Sequence, residues 1–528
     1  MPTDCISFQN SGYFTPIMID YLNQDKNLKT FYNRFPNIDN FKAQIAEKQK
    51  NYLQKNRIVL VESLKKQYQN FNVSNLTLSN INLLKNSNTY TVTTGHQLNL
   101  FTGPLYFLYK IISTINLCKE LQNVYPEHKF VPIYWMATED HDFEEINHFN
   151  FKGKKVVWKK ESSGPVGRLS TIGLESVYTE FFKHLGLGEN VNTLKKLFSK
   201  GYLEHSNLAN ATRYIANELF KDKGLVILDG DDKDLKQLFS PFIKDELFKN
   251  TSFNKVTQTI NNFKYNVQVN PRKINLFYIT DSSRERIVFE NNTYAVLNTN
   301  VSFTKEEIEK EVDNFPEKFS PNVITRPLYQ EFVLPNLCYI GGGGELAYWL
   351  ELKSFFDAVN VTFPVLLLRN SVLLATEKQV QKADSLQLSW QDLFSNKQDL
   401  QTAKTNEFST ITFDFNSQKE LLKSQFEELT KIASNTDKSF IGAVNAEEKK
   451  QLKGLDNLEK RLLKAEKRVY KDKLNRIFLL QEELFPNQSL QERKVNFSEY
   501  YETFGTELLD KLFTDLKPLE QEFNIVVL

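Results

Sequence analysis

A strand, a loop, a helix and a second strand in close succession limit the fold more than any other feature of this sequence. Residues 88–95 read NTYTVTTG, a short β-branched run that ends at Gly95. That run predicts a strand passing into a turn. GPLYFLYKIISTINLCKEL follows as a helix, with Pro104 in its first turn and Thr102 as the expected N-cap. FVPIYWMA, residues 130–137, is an unbroken apolar run of strand length, which fits a strand buried on both faces. Such a βαβ unit sets its strands parallel in one sheet. The pattern recurs in GLVILDGDD (224–232), in NLCYIGGGGELAYWLELKSFF (336–356) and in FPVLLLRNS (363–371).

The rest of the chain is arranged around that core. Residues 1–85 read mostly helical, with apolar positions at helical spacing. Residues 273–300 look like antiparallel strands with an Asn-Asn turn, inserted into the α/β core. The core is therefore expected over 1–375, with inserted segments at about 150–220 and 250–320. Beyond 375 the chain is charged and helix-favouring, and Leu455, Leu458, Leu462, Ala465 and Val469 alternate spacings of three and four. That seam predicts an antiparallel helical hairpin or coiled coil within 376–484. Residues 485–528 then return towards the core.

Composition excludes several classes. Lys plus Arg is 66 and Asp plus Glu is 65, so no global basic field argues for nucleic acid or an anionic membrane. The three cysteines, Cys5, Cys118 and Cys338, are far apart and form no CxxC pair. This argues against a disulfide framework and a cysteine-rich zinc site. No secretory signal and no long uncharged apolar stretch is present, so a cytoplasmic protein is expected.

Ligands in open parallel sheets bind beyond the carboxyl ends of the strands. Three stretches are placed there. TGHQLNLFTG (94–103) offers backbone at Gly95 and Gly103, polar side chains at His96, Gln97 and Asn99, and free N–H groups at a helix start. It is neither GxGxxG nor a Walker loop, and a plain strand-to-helix turn is an equal reading. ATEDHDFEEINH (137–148) offers Asp140, His141 and Asp142 as base, metal ligand or positioning groups, or merely an acidic helix start. In an extended segment, period two would put Asp140 and Asp142 together and His141 opposite. YIGGGGELAYW (339–349) holds Gly341, Gly342, Gly343 and Gly344 ahead of a helix, with Glu345 in its first turn. Four glycines are costly in chain entropy, so a backbone cradle is expected. Arg326 and Arg369 each interrupt apolar context and need a carboxylate or phosphate partner, within the protein or on a ligand. Arg168 is a weaker candidate of the same kind.

At these loops the sequence resembles a known family. TGHQLNLFTGPLYFLYKI, VPIYWMATEDHDFEEIN, VNPRKINLFYI, RPLYQEFVLPNLCYIGGGGELAYWLELK and LFPNQSLQER, in that order, resemble the bacillithiol biosynthesis cysteine-adding enzymes. The resemblance runs from about residue 10 to the C-terminus. It implies a Rossmann-like core with inserted connecting segments and a C-terminal coiled coil that pairs two subunits. It implies a ligase that adds L-cysteine to the amine of glucosaminyl malate by an amide bond, as the last step of bacillithiol formation. The core is similar in kind to nucleotidyltransferase folds, so ATP activation of the cysteine carboxylate, with Mg²⁺, is expected. A bound ADP near the coiled coil is a further implication, with no residues assigned to it. Where the family commonly has Gln, this chain has His96, and where Pro is common it has Gly343, so His96 is assigned to binding.

The expected catalytic residues are Asp140, Asp142 and Glu345. Substrate binding is assigned to Gly95, His96, Gln97, Asn99, Gly103, His141, Arg326, Gly341, Gly342, Gly343, Gly344 and Tyr348, with no metal ligand assigned. Two competing readings stand beside the ligase. One is a metal-dependent hydrolase or nucleotidyltransferase using Asp140, His141 and Asp142. The other is a coiled-coil interaction protein with a degenerate nucleotide fold.

Overall fold

The computed structural model describes residues 4–528. Five strands, β1 (Thr89–His96), β2 (Lys129–Met136), β3 (Val226–Asp229), β4 (Asn336–Gly341) and β5 (Val365–Leu368), form one parallel sheet. Their order is β5-β4-β1-β2-β3. The chain steps outward from β1 through β3, then returns to the other side of β1 for β4 and β5. This is the Rossmann-like core expected from the sequence, and its switch point falls between β1 and β4. The crevice there opens beyond Gly95–His96 and Gly341.

Burial on both faces explains the apolar runs. Every residue of β2 after Lys129 is buried. Tyr90, Val92, Leu337, Ile340, Val365 and Leu367 pack with Phe41, Leu117 and Leu121 in one cluster. Thr91, Thr93 and Thr94 of β1 are buried too, and their hydroxyls are satisfied inside the sheet. Thr91 and Thr93 donate to Asn336 Oδ1 at 3.1 and 2.8 Å, and Thr94 donates to the Ile340 carbonyl at 2.8 Å.

The crossover helix α1 (Tyr106–Val124) starts later than its sequence suggests. Thr102 is not its N-cap; that position is Leu105, and Thr102 sits at φ +68°. The cause is the C-terminal segment. Val495 takes the Leu105 N–H at 2.8 Å, and Asn496 Nδ2 donates to the carbonyls of Phe101 and Gly103 at 2.7 and 2.6 Å. The residues around Pro104 are thereby held outside the helix, and the Leu105 N–H is not free for an anion.

The inserted antiparallel sheet has five strands, in the order 302–303, 293–296, 284–290, 276–279 and 319–321. Its hairpin turns on Asn291 and Asn292, both at positive φ, as a two-residue turn of left-handed residues requires. A three-stranded sheet joins Asp4–Ser7, Glu522–Val527 and Ser371–Ala375. Residues up to Leu374 form one compact unit with Leu490–Leu528, and Ala375–Ser489 form a second.

Within that second unit, helices Asn416–Ser434 and Lys438–Val469 lie antiparallel. Lys419, near the start of the first, pairs with Asp456 and Glu459 of the second, each at 2.7 Å. Leu455, Leu462 and Ala465 are half-buried, while Leu458 and Val469 are exposed. Among the described residues no helix is long and apolar enough to cross a membrane.

Candidate active site

A cavity of about 600 Å³ opens at the carboxyl ends of β1, β2 and β4. Four elements of the core supply one wall. Gly95, His96 and Gln97 come from the end of β1, and residues Trp135 to Asp142 from the end of β2. Glu345 and Tyr348 come from α3 (Gly343–Leu350), and Arg326 from α2 (Thr325–Val333). The inserted sheet and the chain leading into it supply the opposite wall with Asn270, Arg272, Phe277, Arg284 and Arg286.

Lys110 and Glu345 sit at the base. Lys110 projects from α1, is buried, and donates to the Gly95 carbonyl at 2.5 Å while pairing with Glu345 Oε1 at 2.6 Å. Glu345 also accepts from the Tyr339 hydroxyl at 2.6 Å and from the Gly342 N–H at 3.3 Å. Burial alone would push this carboxyl up. The Lys110 ammonium and the Tyr339 hydroxyl more than offset it and hold the group below the ordinary carboxylate range. Glu345 is therefore ionised and already occupied.

His96 lies against Tyr106 and Phe107, with ring centroids 5.2 and 5.0 Å apart. Burial, then the charges of Lys110 and Arg369, hold its imidazole well below the usual value, so the ring is neutral. Its Nε2 is buried with no hydrogen-bond partner. That atom offers a ligand one hydrogen bond.

Asp140, His141 and Asp142 do not form an extended segment. The Asp140 N–H donates to the Ala137 carbonyl at 3.2 Å, so this is a turn and strand alternation does not apply. All three side chains line the cavity, and their ligand atoms lie within 4.8 Å of one another. Gln97 Nε2 donates to Asp140 Oδ2 at 3.0 Å, and His141 Nδ1 lies 3.0 Å from Arg284 Nη1.

The charges across the cavity are unequal. Lys110 pairs with Glu345, and Glu139 pairs with the buried Lys236. That leaves Arg272, Arg284, Arg286 and Arg326 facing Asp140 and Asp142, four guanidiniums to two carboxylates. None of the four arginines has a carboxylate within 4.0 Å among the described residues. Arg326 bonds only neutral groups, Gln330 Oε1 at 3.0 Å and the Tyr348 hydroxyl at 3.2 Å. Arg284 donates to Ser320 Oγ and the Pro321 carbonyl and stacks 4.1 Å over Phe277. Lone guanidiniums around a cavity are what a bound polyanion needs.

Other expected residues lie away from the cavity. Asn99 and Gly103 do not line it. Gly103 has φ +64°, and a Cβ there would come within 2.6 Å of the Asn99 Cβ, so the turn itself demands glycine. Gly341, Gly342, Gly343 and Gly344 do not line it either. A Cβ on Gly341 would meet the Tyr339 ring at 2.9 Å, and one on Gly343 would meet Met18 at 3.1 Å. Arg369 is an internal partner, bidentate to buried Glu492 at 3.0 and 2.7 Å. Arg168 is held by Asp231 and Asp281. Sequence reasoning missed Lys110, Arg272, Arg284 and Arg286. The available signals were a lone lysine in the apolar run LYFLYKII and two arginines spaced by two in a strand.

The family model for bacillithiol biosynthesis BshC, N-terminal Rossmann-like domain, matches residues 1–370, and its C-terminal coiled-coil domain matches residues 372–528. The chain belongs to the BshC family. A relative in Flavobacterium johnsoniae, named "Putative cysteine ligase BshC", is 63% identical over 529 residues, covering 100% of both chains. The BshC relative of Cytophaga hutchinsonii is 37% identical over 98% of this chain and 97% of its own. That of Bacillus cereus is 27% identical over 94% and 95%. Membership in the BshC family makes the chain a ligase of bacillithiol biosynthesis. A product-bound parasite tRNA synthetase covers 84% of this chain and 94% of its own, with 10% identity and a TM-score of 0.21, too poor a superposition to carry an argument.

Proposed function

We propose that the protein joins the carboxylate of L-cysteine to the amine of glucosaminyl malate, forming the amide that completes bacillithiol. The observation that carries this reading is one cavity lined both by four guanidiniums without a carboxylate partner among the described residues and by the carboxylates of Asp140 and Asp142. The malyl group is a dianion, and Arg284, Arg286 and Arg326 are guanidiniums with no carboxylate partner of their own among the described residues. Cysteine brings an ammonium, and Asp140 and Asp142 are the cavity carboxylates that no lysine or arginine pairs with at close range among the described residues. Asp140 already accepts from Gln97 and from the His141 N–H at 2.8 Å, so it is the fixed group that holds a cation. The Asp142 side chain has no hydrogen-bond or ion-pair partner among the described residues, and it takes the proton that the attacking amine releases. His96 Nε2 and the Gln97 amide orient the polar groups between the two walls.

Amide formation from a free carboxylate needs activation, which a nucleoside triphosphate with Mg²⁺ supplies when bound. The residues present fit such a group: Asp140 and Asp142 are hard oxygen ligands, and the free guanidiniums suit phosphate oxygens. Purified protein supplied with glucosaminyl malate, cysteine, ATP and Mg²⁺ is expected to yield bacillithiol with stoichiometric loss of ATP. No bacillithiol in that mixture, together with normal bacillithiol in cells lacking the protein, overturns the reading.

One observation favours a second reading. The convergence of Asp140, His141 and Asp142 would also suit a tightly held transition metal in a hydrolase or nucleotidyltransferase. Stoichiometric Zn²⁺ or Mn²⁺ lost on replacing His141 would select it.

We propose further that the helical hairpin pairs two copies of the chain. A groove of about 550 Å³ on it is lined by Leu421, Leu422, Leu455 and Leu458, and Leu458 is 52% exposed. Leu458→Glu is expected to convert a dimer to a monomer in sedimentation velocity, and an unchanged sedimentation coefficient would refute the pairing.

A further inference from the structure

Residues 266–275 run without regular structure from helix Thr251–Asn261 into the first strand of the inserted sheet. Asn270 and Arg272 from this stretch line the cavity. Their side chains are exposed, yet the backbone beneath them is pinned at two points. At the first, Glu351 accepts the N–H groups of Gln268 at 2.7 Å and Val269 at 3.3 Å. Glu351 is the C-cap of α3, the helix that carries Glu345 and Tyr348 to the cavity, and it is fully buried. No cation pairs with it among the described residues. Burial pushes its carboxyl up to about 6, so at neutral pH it is an ionised group whose hydrogen-bond donors among the described residues are two N–H groups of this stretch.

At the second point Asn275 grips the peptide of Arg272 from both sides. Its Oδ1 accepts the Arg272 N–H at 3.0 Å, and its Nδ2 donates to the Arg272 carbonyl at 2.8 Å. Asn275 is fully buried and is fixed by Glu246 Oε1 and by Asn322, which itself lines the cavity. The guanidinium of Arg272 has no partner among the described residues. A rigidly held backbone that presents a free arginine to a cavity is the arrangement of a preorganised binding group.

We propose that residues 266–275 are a strap completing the anion subsite, that Arg272 selects substrates with a dianionic end, and that Glu351 is the positioning residue that holds Arg272 there. The inference rests on the cavity arginines receiving the malyl dianion. Paired carboxylates and a nucleotide's phosphates share the same oxyanion chemistry; the strap leads into the sheet that carries Arg284 and Arg286, and Arg272 acts with them on the carboxylates, with separate binding of the two ligands telling the sources apart.

Calorimetry with glucosaminyl malate, and separately with Mg²⁺-free ATP, tests this without turnover. Arg272→Ala and Glu351→Ala are each expected to weaken glucosaminyl malate binding by about tenfold or more, the loss of one charge-assisted contact. The double variant is expected to be no weaker than Arg272→Ala alone, because both remove one interaction. Glu351→Gln, which keeps one acceptor, is expected to recover part of the affinity. Amide exchange at Gln268 and Val269 is expected to accelerate in Glu351→Ala while the β1 and β4 amides stay protected, which separates release of the strap from misfolding. Unchanged glucosaminyl malate affinity in either single variant, losses that multiply in the double variant, or a loss confined to ATP would overturn the proposal. Weakened binding in a protein that makes no bacillithiol would leave the strap standing and remove the ligase reading instead.

Discussion

Arg369→Met is expected to destabilise the core unit by roughly 3–5 kcal/mol, the cost of leaving one charge of a buried pair uncompensated. Arg369 and Glu492 are both almost fully buried, and Glu492 also accepts the Val372 N–H at 3.0 Å. Removing the guanidinium strands a carboxylate between β5 and the C-terminal segment. Equilibrium denaturation would show a lower midpoint, and glucosaminyl malate binding per folded molecule would be unchanged. A variant as stable as the parent, or one that folds but no longer binds, would show that Arg369 serves the ligand and not the fold. Replacing Arg369 and Glu492 together by apolar residues is expected to restore much of the stability, because the pair's main contribution is to leave neither charge alone.

The same pair shows where sequence reasoning stops. Arg326 and Arg369 look alike in the sequence, each a lone cation in apolar context. Only the fold separates them, because Glu492 lies 123 positions after Arg369 in a segment with no local relation to it. The parallel core was legible for the opposite reason. A strand covered on both faces leaves a continuous apolar run, and β2 shows that pattern in its own residues. The Asn291-Asn292 hairpin was legible because left-handed turn positions select asparagine locally. The start of α1 differs from the expected one because Thr102 and Pro104 give a valid local signal that Asn496, 393 positions after Gly103, overrides. The cavity itself was half legible. Strand-end position points to Gln97, Asp140 and Asp142, and all three line the cavity. Arg284 and Arg286 stayed hidden because their placement depends on how the inserted sheet folds back over the core, which no local pattern encodes.

Asp140→Asn is expected to lower the rate of bacillithiol formation by two to four orders of magnitude, about what loss of a charged positioning or proton-handling group costs. The replacement is nearly isosteric, and the remaining amide oxygen can still accept from Gln97, whose Nε2 lies 3.0 Å from Asp140 Oδ2. The turn is fixed by backbone, through the Asp140 N–H to the Ala137 carbonyl and the Val166 N–H to the Asp140 carbonyl at 2.7 Å. Geometry is thereby kept while charge is removed, so a stability change is expected to stay within about 1 kcal/mol. The kinetic pattern then assigns the role. If Asp140 holds the cysteine ammonium, the KM for cysteine rises together with the fall in kcat, and glucosaminyl malate binding is untouched. If it holds Mg²⁺ instead, the lost activity returns in part at high Mg²⁺ and the KM for cysteine stays put. Full activity in Asp140→Asn would remove Asp140 from the mechanism, leaving Asp142 and Glu345 as the carboxylates of the expected catalytic set. Glu345 is already bound to Lys110 and Tyr339, which makes it a poor replacement.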